Sequence, residues 1–195
     1  MKIKLKTSDL ITIGIFSAIY IISYAILSGV LFTPFLFFIM MPLGALLMGP
    51  VYMLFIARTQ KLGAITIMGF LAATLIGFLV YGNIFIMLVN FGIALVAELL
   101  AYVGQYKSFK WNTASYSVMS LWIIGEQGPY WVAKEWMRNL TINSGYTAEY
   151  ADGMLALATP LNLVILIVLT IICAIISAYV ANRMLKKHFV RAGIA

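Results

Sequence analysis

TPLNLVILIVLTIICAIISAYVANR, residues 159–183, carries no charge before Arg183, and its reading decides the class of protein. Roughly 20 apolar residues cross a bilayer core of about 30 Å, so this run is long enough to span one. The rest of the chain has the same character. Of 195 residues, 64% are hydrophobic and 10% charged, and the mean hydropathy is +1.03. A soluble domain cannot hide that much apolar surface, so the solvent is lipid. Outward from the last span the chain divides into six segments, 10–28, 34–57, 62–82, 84–105, 113–130 and 159–183, each bounded by charge, glycine or proline. The expected fold class is an all-α integral membrane protein, a single six-helix transmembrane domain over 1–195, with 131–158 as a long outer loop.

Lys2, Lys4 and Lys6 ahead of the apolar stretch Leu10–Leu27 imitate a secretory signal. That stretch exceeds the usual core of about 7–15 residues and no A-x-A-like site follows, so it reads as a retained first helix. Charge then orients the path. Lys2, Lys4, Lys6, Arg58, Lys61, Lys107, Lys110, Arg183, Lys186, Lys187 and Arg191, 11 of the 13 basic residues, fall at ends that six crossings place on one side. By the positive-inside rule that side, with both termini, is cytoplasmic. The same rule and anionic lipid account for the net charge of +7, so no nucleic-acid partner is expected.

Catalytic chemistry finds few groups. Cys173 has no cysteine partner and sits in an apolar run, where packing is its role; His188 is the only histidine and lies in the basic tail. A thiolate or H-E-x-x-H metal site is therefore out of reach, no G-x-x-x-x-G-K-[ST] phosphate loop occurs, and a Ser/His/Asp triad would have to reach from the tail. The chain reads as no enzyme, with no catalytic residues, metal or cofactor. Uphill transport would need a gradient or another subunit.

Gly14, Ala18, Ala25 and Gly29 project at about 0, 40, 20 and 60 degrees around the first helix, one smooth stripe. A small-residue stripe lets another backbone approach closely. Docking on a partner and packing inside the same chain both fit it.

Two carboxylates fall within the spans. Glu98 lies near the cytoplasmic end of the fourth, within snorkelling reach of the boundary, and reads as a structural ion pair with a residue such as Arg58 or Lys107. Glu126 stands about 20 Å up the fifth helix, in the outer leaflet. Pro129 follows, so Glu126-Gln127-Gly128-Pro129 should be a broken or kinked helix end lining a cavity. A ligand-site role for Glu126 is favoured over an internally paired or protonated carboxyl. Trp122, Tyr130, Trp131 and Trp136 cluster beside it, either stacking on a flat organic molecule or forming an interfacial belt. Asn83, Asn90 and Asn162 offer directional hydrogen bonds to a ligand or to neighbouring helices. Lys134 and Arg138 in the outer loop would suit an anion, whereas Glu126 favours a donor or cation.

The opening Lys6-Thr7-Ser8-Asp9-Leu10-Ile11-Thr12-Ile13-Gly14-Ile15-Phe16-Ser17-Ala18-Ile19-Tyr20 and the closing Lys186-Lys187-His188-Phe189-Val190-Arg191-Ala192-Gly193-Ile194 resemble the S components of energy-coupling factor (ECF) transporters, in the MptD/Trep_Strep-like subgroup. The resemblance covers nearly the whole chain. It implies a six-helix bundle in a bacterial cell membrane that captures a vitamin-like micronutrient outside, then topples against a transmembrane coupling subunit powered by two cytosolic ATPases. It also implies that the small-xxx-small motif of the first helix, here Gly14 and Ala18 where the family commonly has alanine twice, docks on the coupling subunit. Its ligand pocket lies near the outer surface under the outer loops, and it names no ligand. The alternative is a self-sufficient secondary transporter or channel, against which stand the lack of detectable internal repeats and a midplane almost free of charge.

Overall fold

The computed structural model describes residues 5–28 and 33–189, and among them every regular element is helical. The elements are α1 (Thr7–Ser28), α2 (Pro34–Thr59), α3 (Ala64–Gly69), α4 (Ile76–Tyr81), α5 (Ile84–Val103), α6 (Phe109–Met119), α7 (Ile123–Gln127), α8 (Pro129–Val132), α9 (Lys134–Asn143), α10 (Ala148–Leu157) and α11 (Pro160–Met184). A wide π-helical turn, Phe70–Leu75, joins α3 to α4 as one rod, and a tight 3-10 turn, Ser120–Trp122, joins α6 to α7.

Five helical stretches are long and apolar enough to cross a membrane: Thr7–Leu27, Pro34–Thr59, Ala64–Tyr81, Ile84–Val103 and Pro160–Lys187. The sixth expected span, 113–130, differs. It is the segmented rod α6–α7–α8, beginning at Phe109, and its buried side chains include Asn112, Thr113, Ser115 and Tyr116. A helix lined by protein rather than lipid has no need of an apolar surface. The connection 131–158, expected as a loop, is mostly the helices α9 and α10.

α2 is the central element: 56% of its apolar window is buried, against 22% for α1 and 28% for α11. Two prolines, Pro42 and Pro50, interrupt it. Each lacks the N–H that would serve the carbonyl four residues back and pushes that carbonyl aside. Pro50 thus frees Leu46, and the Ser177 hydroxyl of α11 donates to the Leu46 carbonyl at 2.5 Å. Tyr116 of α6 donates to the adjacent Ala45 carbonyl at 2.5 Å. Near Pro42, Gln127 Nε2 of α7 donates to the Phe37 carbonyl at 2.7 Å. Close approach makes these bonds possible: a Cβ on Gly49 would stand 2.2 Å from Ser177 Oγ, so only glycine lets α11 lie so near α2.

A second chain of bonds crosses the middle of the bundle. Ser115 Oγ donates to the Ala97 carbonyl of α5 at 2.7 Å, which leaves Tyr52 of α2 as the donor in its 2.8 Å contact with Ser115. Glu98 corrects the sequence expectation of an ion pair with Arg58 or Lys107. Its Oε2 accepts from the Thr66 N–H at 2.9 Å and its Oε1 from the Tyr106 hydroxyl at 2.5 Å, and among the described residues it has no cationic partner. Thr66 lies in the first turn of α3, whose N-cap Gly63 has no side chain. Glu98 therefore serves as the missing cap from a neighbouring helix, where the positive helix end favours a carboxylate. At the same end of the bundle, Lys61 and Asp9 form a salt bridge that ties the α2–α3 turn to the start of α1.

Removing the Ser177 hydroxyl leaves the part-buried Leu46 carbonyl, already deprived of its helical partner by Pro50, without a donor. Ser177→Ala should cost about 1–3 kcal/mol in unfolding experiments in detergent micelles. Ser117→Ala, which removes a hydroxyl bonded only within its own helix, should cost much less. Equal midpoints for the two variants would show that the α2–α11 bond does not support the fold.

Candidate functional site

At the end of the bundle marked by the α2 and α11 N-termini, the segments α8, α9 and α10 fold over as a cap. Arg138 of α9 grips Asp152 of α10 with two bonds, Nε to Oδ1 at 2.6 Å and Nη2 to Oδ2 at 3.2 Å. The bond from Arg138 holds the Asp152 carboxyl below the usual aspartate range, and the same bond raises Arg138. Inside the cap, Thr141 Oγ1 donates to the Met137 carbonyl at 2.7 Å, so Tyr130 of α8 donates its hydroxyl to Thr141 at 2.9 Å. Thr147 caps α10 by accepting from the Tyr150 N–H at 3.1 Å.

Between cap and bundle lies a cavity of about 230 Å³. Its walls are mainly aromatic: Phe37 of α2, Tyr81 at the end of α4, Tyr130 of α8, Tyr146 and Tyr150. Thr141 and Ser144 add hydroxyls, and no described lining residue is charged. Tyr146 and Tyr150 stack on each other with ring centroids 4.7 Å apart. Burial, with Tyr146 and Tyr130 close by, pushes the Tyr150 hydroxyl up to about 12, so it remains protonated and available as a donor at neutral pH.

Glu126 lies deeper in the bundle, only 2% exposed. Its Oε2 accepts from the Tyr24 hydroxyl of α1 at 2.8 Å, and Tyr24 sets its ring edge-on to Trp122 at 4.7 Å. Asn90 of α5 packs against the same helix turn: a Cβ on Gly125 would stand 1.9 Å from Asn90 Oδ1. A Cβ on Gly77 would meet both Asn90 Nδ2 and Glu126 Oε1, so the absent side chains of Gly77 and Gly125 give the two polar groups room. Asn90 Nδ2 donates to the Ala73 carbonyl in the π turn at 3.2 Å, while Asn90 Oδ1 and Gln127 Oε1 are buried without a partner. α4 connects this polar layer to the cavity: Gly77 packs beside Glu126, and Tyr81, one turn further along, lines the wall. The helix break expected at Pro129 is mild. Gly128 keeps helical angles, φ −51° and ψ −37°, and Pro129 restarts the rod as the first residue of α8.

The sequence candidates thus separate. Tyr130 lines the cavity, and Glu126, Gln127, Asn90 and Trp122 form the buried layer of α5 and α7. Trp136 packs into the apolar cluster of the cap with Met137 and Met154. Trp131 serves the structure: its indole N–H donates to the Thr159 carbonyl at 2.7 Å and its ring packs on Phe38. Asn83 caps α5 by accepting from the Phe85 N–H at 2.8 Å. Asn162 donates to the Leu157 carbonyl at 2.7 Å and borders a separate apolar groove between α2 and α11. Lys134 is exposed at the start of α9 and is not among the cavity's lining residues. On α1, Ile13, Phe16, Ser17 and Tyr20 face inward, whereas Gly14, Ala18 and Ala25 are exposed, and a Cβ on Gly14 would meet nothing within 4 Å. Gly29 lies outside the described residues.

Tyr24, Phe37, Tyr81, Tyr146 and Tyr150 do not stand out in the sequence. Tyr20 and Tyr24, one turn apart on α1, are the nearest thing to a signal; the others come together only through the cap. Among the described residues no group of three or more His, Cys, Asp or Glu side chains gathers to hold a metal.

A family model described as a hypothetical bacterial integral membrane protein, Trep_Strep, matches residues 7–191. The chain belongs to this family. No curated protein and no solved structure matches it. As a Trep_Strep member it is an integral membrane protein, and the five apolar helices supply its membrane-crossing surface. Their outward faces are aliphatic, with Ile11, Ile26, Leu99 and Val164 among the most exposed side chains.

The Arg138–Asp152 pair generates a prediction with a sign. Because the folded Asp152 titrates below its ordinary value of about 3.9, the pair supports the cap throughout the range above that value. Its contribution is lost only as pH falls through the lowered value. Hydrogen exchange of α9 and α10 amides, corrected for the intrinsic rate, should show unchanged protection between about pH 5 and 8. Asp152→Asn should loosen the cap across that whole range; equal protection in the two proteins would remove the pair from the cap's support.

Proposed function

We propose that this Trep_Strep protein is the substrate-binding S component of an ATP-driven ECF-type importer in the bacterial cell membrane. It captures a small organic micronutrient at the outer surface and delivers it through a transmembrane coupling subunit driven by two cytosolic ATPases. The capped cavity of about 230 Å³ carries the reading. A concave, mainly aromatic space with a few hydroxyls, set between a folded cap and a membrane bundle, suits the capture of one small molecule. The residues put binding, not catalysis, at the centre: tyrosine rings and hydroxyls line the space, and the buried carboxylate is held by a tyrosine.

In this reading the rod α6–α7–α8 is the fifth of six crossings, both termini are cytoplasmic, and the cap is external. The exposed Gly14 and Ala18 of α1 are the docking face for the coupling subunit, since two helices in lipid gain dispersion contacts only where backbones approach. Tyr24, on the same helix, bonds Glu126 beneath the cavity and links that face to the ligand region.

Affinity purification from the native membrane should recover the coupling protein and two ATPases with the chain. Gly14→Leu or Ala18→Leu should reduce that recovery while the isolated protein keeps its fold. Normal recovery in both variants would return the stripe to lipid contact, and absence of any ATPase from the wild-type preparation would favour a self-sufficient transporter. Topology is checked separately: cysteines placed at Ser8 and Lys187 should be shielded from an impermeant thiol reagent in intact cells, and one at Thr147 should react. Labelling of the termini from outside would reject the orientation.

A further inference from the structure

The cavity's chemistry narrows the ligand. Resting on the reading above, we infer that the captured molecule is a small, flat organic cation, held by tyrosine rings and balanced by the Glu126 carboxylate.

Three observations converge. The walls carry five aromatic rings, Phe37, Tyr81, Tyr130, Tyr146 and Tyr150, and no charged side chain among the described lining residues. Ring faces bear the negative end of the aromatic quadrupole and attract cations, most strongly where water is excluded. The basic groups of the cap are withdrawn from the space: Arg138 is committed to Asp152 by two bonds, and Lys134 is exposed outside the lining. An anion entering the cavity would thus meet tyrosine rings with no cation to balance it, at the desolvation cost of an unpaired charge.

The third observation is beneath the floor. Glu126 is 2% exposed, and its hydrogen bond comes from the neutral Tyr24. Glu126 Oε1 stands against Gly77 of α4, and Tyr81, one turn further along that helix, lines the cavity wall. A buried carboxyl with no cationic side chain beside it is costly to ionise, and a cation bound nearby offsets that cost. The shape argument is independent of charge: stacked Tyr146 and Tyr150 offer a planar surface, and the remaining hydroxyls, Thr141 and Ser144, suit the N–H edge of an amidine or amine.

The test uses three molecules of nearly one shape and different charge: benzamidinium, benzamide and benzoate. Binding to the purified full-length protein in detergent is read by calorimetry and by thermal stabilisation. Benzamidinium should bind about ten-fold more tightly than benzamide, the scale of a desolvated cation–π contact, and benzoate should not bind. Glu126→Gln should erase much of the gap between benzamidinium and benzamide while leaving benzamide binding in place. Tyr146→Leu, at a half-exposed cap position that tolerates change, should weaken both. Benzoate binding as well as benzamidinium, equal binding of the charged and neutral molecules, or no binding by any of the three overturns the inference. So does undiminished benzamidinium binding in Tyr146→Leu together with Tyr150→Leu, which would place it elsewhere. Failure to recover ATPases in the purification above would reject the importer and leave the charge preference standing, so the two ideas fail separately.

Discussion

A helix crossing lipid cannot leave backbone carbonyls unpaired, and α2 carries two prolines that free them. The fold answers with side chains from elsewhere. Ser177 of α11 and Tyr116 of α6 supply the carbonyls near Pro50, and Gln127 of α7 the one near Pro42. These bonds set which helices surround α2 and at what depth, and the short Ser177 side chain requires the closest approach. Gly49 makes the closest of these approaches possible by having no side chain where Ser177 stands. Since Gln127 is next to Glu126, its bond to the Phe37 carbonyl also fixes the turn bearing the buried carboxyl.

The same constraint explains where polarity is concentrated. α1, α5 and α11 face lipid and are aliphatic on their outer sides, whereas α6 is polar and inside. Its Ser115 relays from Tyr52 to the Ala97 carbonyl, so three helices share one hydrogen-bond chain. Glu98 fits the pattern. A carboxylate beside the uncapped start of α3 satisfies a backbone N–H that no residue of α3 itself could reach, and that local need outweighs pairing with the basic fringe.

The cap covers a cavity at one end of the bundle. α9 repeats its inward positions at helical spacing, with Met137 and Thr141 on one row and Leu140 and Ser144 on the next, so one short helix supplies both packing and hydroxyl groups to the cavity. Tyr130 ties α8 to α9 within the cap through Thr141, and Trp131 fastens the cap to the start of α11 through the Thr159 carbonyl. Trp131 thus anchors the cap, and of the tyrosines lining the cavity only Tyr130 stood out among the chain's eleven.

From the sequence alone came the solvent, the helical class and the places where apolar runs begin and end, because lipid imposes a length and a composition that can be counted along the chain. Glu126 was legible too, since a carboxylate in an apolar run is costly wherever it points. Tertiary structure decided the rest. That 131–158 folds as helices over a cavity, that the Tyr24 hydroxyl meets Glu126 from 102 positions away, and that Glu98 caps α3 instead of pairing with Arg58 or Lys107 all depend on which residues meet across the fold. Composition reports how much surface must be buried or solvated; only close packing determines which polar atom satisfies which, and the chemistry of the cavity follows from that pairing.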